Sequence, residues 1–219
     1  AGDINEVRRL IEKYEMPVLG YTPEHNAYPY NYMIGSEAQR RDAIDYLKLS
    51  LEMAKEMGAE FVLTSPANGG YLATYDQLWS RLEKNIQELG DYAAKLEIKL
   101  VVEALTPYES NSFTRANDLV ELFRRVDNPY VVGMCDIVPP FVQHESIMAY
   151  FDKLGNKMDH MHIIDGENGS DTHLIPGEGN IPIKEMLYEM KRIGYDKTAT
   201  LELVTNYINE PRFYAKRAI

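Results

Sequence analysis

Lys99-Leu100-Val101-Val102-Glu103-Ala104-Leu105 is a short run of large apolar and β-branched residues that carries an acid near its end. Such a run reads as a strand buried on both faces of a parallel sheet. A carboxylate inside it costs several kcal/mol, roughly, unless it is paired, hydrogen-bonded or bound to a metal. The same arrangement returns three times downstream, in Tyr130-Val131-Val132-Gly133-Met134-Cys135-Asp136, in His160-Met161-His162-Ile163-Ile164-Asp165 and in Ala199-Thr200-Leu201-Glu202-Leu203-Val204. Glu103, Asp136, His162 and Glu202 are separated by 33, 26 and 40 positions, each close to the length of one βα unit. They are expected at one level, the C-terminal mouth of the sheet, where barrel active sites are built. Any one of them is equally well explained as a strand-end residue that caps the next helix or reaches solvent. Four in succession call for a common cause. Three acids and an imidazole form an oxygen-rich set that suits one divalent ion, Mn, Co, Ni, Mg or Zn, rather than a thiolate zinc site.

Outward from these runs, helical and strand patterns alternate, which predicts βα units around a parallel sheet. Helices are expected over 3–14, 37–57, 75–95, 115–125, 146–154 and 183–193, and two further strands over Val18 to Thr22 and Glu60 to Thr64. Ile44, Leu47, Leu51 and Ala54 share one helical face, as do Leu78, Leu82, Ile86, Leu89 and Ala93, and Gly58 and Gly194 mark helix ends. An α/β fold is therefore expected. A (β/α)8 TIM barrel is favoured over an open doubly wound sheet, because side chains from four consecutive strands meet only when the sheet curls; in an open sheet they spread by ~4.8 Å per strand. Six strands against the eight of a closed barrel predict one barrel domain over 1–219 whose first two βα units are absent from this sequence.

At 219 residues and 45% apolar content the chain fills a sizeable core. Its net charge of -11 repels phosphate backbones and anionic lipid, so neither nucleic acid nor a membrane is expected as a partner. The single cysteine, Cys135, excludes an intramolecular disulfide and fits a reducing compartment. No apolar stretch approaches the ~20 residues of a membrane span and no signal peptide is visible, so a cytoplasmic location is expected.

The remaining histidines and loops admit two readings each. His160 shares strand parity with His162, so either can point inward, and His160 reads equally as a core histidine hydrogen-bonded to backbone; His162 is preferred because Asp165 is placed to orient it through its second nitrogen. His25 and His144 read as loop or surface residues, Cys135 as inert packing and Trp79 as packing. Thr106-Pro107-Tyr108-Glu109-Ser110-Asn111 is a polar binding loop or a proline-nucleated turn. Ser170-Asp171-Thr172-His173 and Pro176-Gly177-Glu178-Gly179 offer His173 and Glu178 to a substrate. Tyr30, within the aromatic loop 27–32, stacks on a sugar or covers the mouth.

On Glu103-Ala104-Leu105-Thr106-Pro107-Tyr108-Glu109-Ser110-Asn111, Ser170-Asp171-Thr172-His173, Ile175-Pro176-Gly177-Glu178-Gly179 and Glu202-Leu203-Val204-Thr205, the chain resembles the xylose-isomerase-like barrels. Within them it resembles the ketose 3-epimerases, those acting on fructosamines foremost. The resemblance implies a divalent metal held by Glu103, Asp136, His162 and Glu202, with Glu103 and Glu202 on opposite faces of substrate C3, inverting it through an enediolate. Glu109 matches a position that hydrogen-bonds substrate in related epimerases. The chemistry agrees, since a proton α to a ketone is too weakly acidic for an unaided carboxylate. Where tagatose and psicose 3-epimerases carry a histidine after the ligand aspartate this chain has Pro139, and where they carry an arginine it has a longer loop with His173. These departures favour a fructosamine such as fructoselysine, giving psicoselysine, over a free ketohexulose. A homo-oligomer is expected from related barrels. Two competing functions follow. Hydrolysis at abasic DNA, known for an endonuclease with the same barrel, is disfavoured by the net charge of -11 and by only five histidines. A non-catalytic sugar-binding module with a structural metal is the other.

Overall fold

The computed structural model describes residues 3–167, 169–204 and 209–219; Thr205 of the last motif falls outside them. The elements run α1 (Ile4–Tyr14), β1 (Gly20–Tyr21), α2 (Glu37–Glu56), β2 (Phe61–Thr64), α3 (Tyr75–Leu96), β3 (Lys99–Val102), α4 (Ala116–Arg125), β4 (Val131–Asp136), α5 (Val138–Val142), α6 (Met148–Leu154), β5 (Met158–His162), α7 (Ile183–Ile193), β6 (Thr198–Thr200) and α8 (Pro211–Ala218). Hydrogen-bonded strand order follows the chain, β1-β2-β3-β4-β5-β6. That order belongs to a (β/α) barrel and excludes the doubly wound alternative, whose strand order reverses at a switch point.

Two elements were not expected from sequence. The short helix α5 carries Pro139 and Pro140 in its first turn, where the missing N–H of proline has no intrahelical role. The other is α8, whose only sequence signal is Pro211 at its start. Two strands are shorter than expected. β1 pairs with β2 only through Gly20↔Phe61 and Tyr21↔Val62. The run from Ala199 to Val204 is not a strand buried on both faces: β6 covers Thr198–Thr200, and Ala199 is exposed. Both strands stand at the ends of the described order, where a single neighbour supplies hydrogen bonds.

Contacts divide the chain into two compact units, residues 1–102 with 121–132, and residues 103–120 with 133–219. In the first unit, capping boxes start α2 and α3: Ser36 with Gln39, and Thr74 with Gln77. The expected apolar faces are the buried ones, Ile44, Leu47, Leu51 and Ala54 on α2 and Leu78, Leu82, Ile86, Leu89 and Ala93 on α3. Each Leu or Ile so buried contributes about 2 kcal/mol. Trp79 is buried beneath the Arg125 guanidinium, 4.8 Å from its ring centroid, as packing requires. His25 lies in the loop after β1, as one of its two readings has it, but is buried: it is 5% exposed, its Nδ1 lies 2.7 Å from the Pro23 carbonyl and its Nε2 2.6 Å from Ser65 Oγ. His144 is exposed.

Glu88 of α3 accepts from Arg41 Nη1 at 2.9 Å and from Lys48 Nζ at 2.6 Å, both on α2. The Arg41 hydrogen bond, and after it Lys48, hold its carboxyl down at about 2 against the opposing effect of burial. A depressed carboxyl stabilises the fold above its unfolded pKa and ceases to do so as pH falls through the folded one. Glu88→Gln is expected to lower stability by about 1 kcal/mol at neutral pH. The deficit should shrink as pH drops from about 4.5 towards 2, a trend read by urea titrations across that range.

The second unit holds residues 133–136 of β4 in parallel register with β5, Cys135↔Met161 and Asp136↔His162, and β5 with β6, His162↔Thr200. Cys135 is fully buried with its thiol pushed well up, first by burial, which fits inert packing.

Candidate metal centre and active site

All four polar residues singled out in the sequence lie in the second unit. Glu103 follows the last residue of β3, Asp136 and His162 end β4 and β5, and Glu202 lies two residues beyond β6. One ligand atom from each gathers so that all four lie within 4.8 Å of one another. His162 Nδ1 sits 3.0 Å from Glu202 Oε2, 3.4 Å from Glu103 Oε1 and 3.9 Å from Asp136 Oδ2. It is buried and forms no well-aligned hydrogen bond with any of them. Metal bonds of about 2.0–2.2 Å place ligand atoms up to about 4.3 Å apart, so only a slight contraction separates this cluster from a coordination shell. An orphaned imidazole nitrogen facing three carboxylates fits a divalent cation, because such a cation satisfies the nitrogen lone pair and the mutual repulsion of the acids together.

The local electrostatics show the same strain. Burial raises the Glu103 carboxyl to about 7, the neighbouring His162 only partly opposing it. Burial disfavours a charged His162, yet Asp136, Glu103 and Glu202 more than offset this and lift its pKa well above the usual histidine range. At Glu202 burial acts upward and is outweighed by His162 and His173, so its carboxyl is held low. Glu103 is closed off, with 7% of its side chain exposed, whereas Glu202 keeps 36%. Asp136 serves two purposes at once. Its Oδ1 accepts from the Val138 amide at 2.7 Å and starts α5, leaving Oδ2 for the cluster.

His173 joins this group, its Nε2 3.1 Å from Asp136 Oδ2 and 3.2 Å from Glu202 Oε2. Burial opposes its protonation, but those two carboxylates raise its pKa to about 11. A backbone exchange delivers it: Asp165 and Leu174 bond each other's amides at 2.8 Å in an antiparallel bridge, folding the loop back. Asp165 itself does not orient His162. Its carboxylate accepts from the amides of Gly166 at 2.9 Å, Gly177 at 2.8 Å and Ile181 at 2.9 Å, and so organises the loop that carries His173. The need for Gly179 follows, since a Cβ there would collide with Asp165 Oδ1 and the Gly166 backbone. Asp165→Ala strands three amides, and is expected to cost about 3 kcal/mol in urea unfolding.

Glu109 Oε2 accepts from the Thr106 hydroxyl at 3.0 Å, and the same hydroxyl lies 3.2 Å from Asp171 Oδ2. One hydroxyl has a single proton to donate, so the two carboxyls compete for it; burial raises the pKa of both. Tyr108 Oη donates to the Gly169 carbonyl at 2.9 Å, tying the same two loops. The 106–111 segment is both an ordered polar loop and a turn, with the Glu109 and Ser110 amides on the Thr106 carbonyl. Thr106 and Asp171 join this network although the sequence did not single either out. Their signal lay in quoted motifs, but nothing in a sequence pairs residues 65 positions apart.

His160 bonds the hydroxyls of Thr198 at 2.8 Å and Thr200 at 3.0 Å, a satisfied core histidine whose ring meets His162 edge to face. The Glu178 carboxylate is taken by Arg217 of α8. Tyr30 belongs to the first unit, where its ring lies 4.5 Å from that of Tyr46.

Over residues 1–218 the sequence matches the xylose isomerase-like TIM barrel family. The chain belongs to that family. Fructoselysine 3-epimerase of Shigella flexneri is 48% identical over 219 residues, covering 100% of this chain and 79% of that protein. Among solved structures, an L-ribulose 3-epimerase superposes with a TM-score of 0.81 at 16% identity, covering 100% of this chain and 72% of that one. The IOLI protein, solved with a zinc atom, does so with a TM-score of 0.77 at 20% identity, covering 97% and 79%. Within the family this chain is an isomerase of the epimerase type. No helix among its described residues is long and apolar enough to cross a membrane.

Proposed function

We propose that this xylose isomerase-like barrel protein is a metal-dependent ketose 3-epimerase that inverts C3 of a fructosamine such as fructoselysine. The observation that carries the reading is the convergence of Glu103 and Glu202 on a single point together with Asp136 and His162. The identity to fructoselysine 3-epimerase supports the substrate class.

Glu103, Asp136, His162 and Glu202 would hold the ion, which supplies Lewis-acid polarisation of the substrate's C2 carbonyl when bound. One glutamate oxygen takes the proton from C3, and the C3–H electron pair moves into the C2 carbonyl to give an enediolate. The other glutamate, as the carboxylic acid, returns a proton to the opposite face of C3, so configuration inverts without a redox cofactor. His173 hydrogen-bonds Asp136 Oδ2 through Nε2 and pairs with Glu202 through the same edge, and so helps to hold both carboxylates in place. Glu109 presents a carboxylate anchored by Thr106 to a substrate hydroxyl or amine.

Incubation with fructoselysine in D₂O is expected to place deuterium at C3 and to yield the C3 epimer. Fructose and psicose run alongside measure the free-ketohexulose alternative. Absence of C3 exchange with every ketose would sink the proposal.

A further inference from the structure

We propose that the groove between α2 and α3, within the first unit, binds a phosphate-class dianion, either inorganic phosphate or the phosphate of a small ester. The groove encloses about 140 Å³ and is lined by Glu37, Arg40, Arg41 and Ile44 of α2 and by Ser80, Arg81, Lys84 and Asn85 of α3. These are positions of one face on each helix, by i, i+3, i+4 and i+7 spacing on α2 and i, i+1, i+4 and i+5 on α3.

Four cations meet one acid there, in a chain whose net charge is -11. Among the described residues, Arg41 alone of the four has carboxylate partners, Glu88 at 2.9 Å and Asp45 at 3.4 Å. Arg40 and Arg81 donate instead to backbone carbonyls, Arg40 to Gly35 and Arg81 Nη1 to Met33 at 3.0 Å. Those bonds fix each guanidinium while leaving most of its five N–H donors unused. Lys84 has no ion pair or hydrogen bond among the described residues, and neither does the side chain of Glu37. Burial, and after it the charge of Arg40, hold Arg81 below the usual arginine range. Glu37, Arg40 and Arg41 also lie in the first two turns of α2, at the positive end of its dipole. With 34 acids against 23 basic residues the chain has carboxylates to spare, yet Arg40, Arg81 and Lys84 line this groove with no ion pair to a carboxylate among the described residues. A tetrahedral dianion offers the several acceptors that two guanidinium forks and an ammonium require.

Calorimetric titration of the metal-loaded protein, at constant ionic strength in sodium chloride, tests the site with inorganic phosphate and with glycerol 3-phosphate. Saturable binding is expected, weakened about fivefold or more in Lys84→Gln and in Arg40→Gln. Both variants should keep the wild-type rate of C3 inversion, because neither residue belongs to the epimerisation machinery. Equal affinity for the two probes assigns inorganic phosphate, and tighter binding of the ester assigns a phosphorylated metabolite. No saturable binding of either probe, or binding unchanged in both variants, overturns the proposal.

Discussion

Glu103→Gln and Glu202→Gln are each expected to lower the rate of C3 inversion by about 10²–10⁴-fold while leaving the fold intact. The substitution keeps the shape of the side chain and one carbonyl oxygen for a cation, but the amide neither accepts nor returns a proton at catalytic rates. A two-base mechanism predicts more than loss of rate. With one glutamate removed, the other still reaches one face of C3. In D₂O, one variant should therefore exchange the C3 hydrogen of the starting epimer without producing the other epimer, and its counterpart should do so from the opposite epimer. Far-ultraviolet circular dichroism and urea midpoints close to wild type would show that the fold is intact. Unimpaired inversion in both variants would exclude the assignment, and loss in only one would replace two bases with a single one.

Removal of divalent metal by a chelator is expected to bring epimerisation to background and to lower the melting temperature by about 5–10 °C. Both effects have one origin. Three carboxylates whose ligand atoms crowd within 4.8 Å of an imidazole repel one another, and a bound cation stabilises only the folded arrangement that gathers them. Adding back Mn²⁺, Co²⁺, Ni²⁺, Mg²⁺ or Zn²⁺ one at a time should restore both quantities in step and rank the ions. His162→Ala removes the only nitrogen of the four proposed ligands and should abolish restoration by stoichiometric metal, measured as metal retained after gel filtration. Activity that persists in metal-free protein would refute a metal-dependent reaction.

The alternation of apolar faces made the barrel succession legible. Leu78, Leu82, Ile86, Leu89 and Ala93 recur at helical spacing because the helix period is set locally, and the strand runs at Lys99 and Val131 are rich in β-branched residues for an equally local reason. Where the described order supplies a neighbour on one side only, as at β1 and β6, apolar patterning overstated the strand. The helix α5 was illegible because Pro139 and Pro140 read as breakers unless Asp136 is known to start a turn there.

By itself the sequence determined which residues to single out. A carboxylate or imidazole at the end of an apolar run is anomalous wherever the chain folds, and the repeat length put Glu103, Asp136, His162 and Glu202 at one level. Only the tertiary structure decided their partners. Asp165 serves the loop rather than His162, His173 reaches Asp136 and Glu202, Thr106 joins Glu109 to Asp171, and Glu178 turns to Arg217. Those pairings depend on distances of a few ångströms between residues tens of positions apart. They are fixed by backbone exchanges such as Asp165 with Leu174, which no local periodicity encodes.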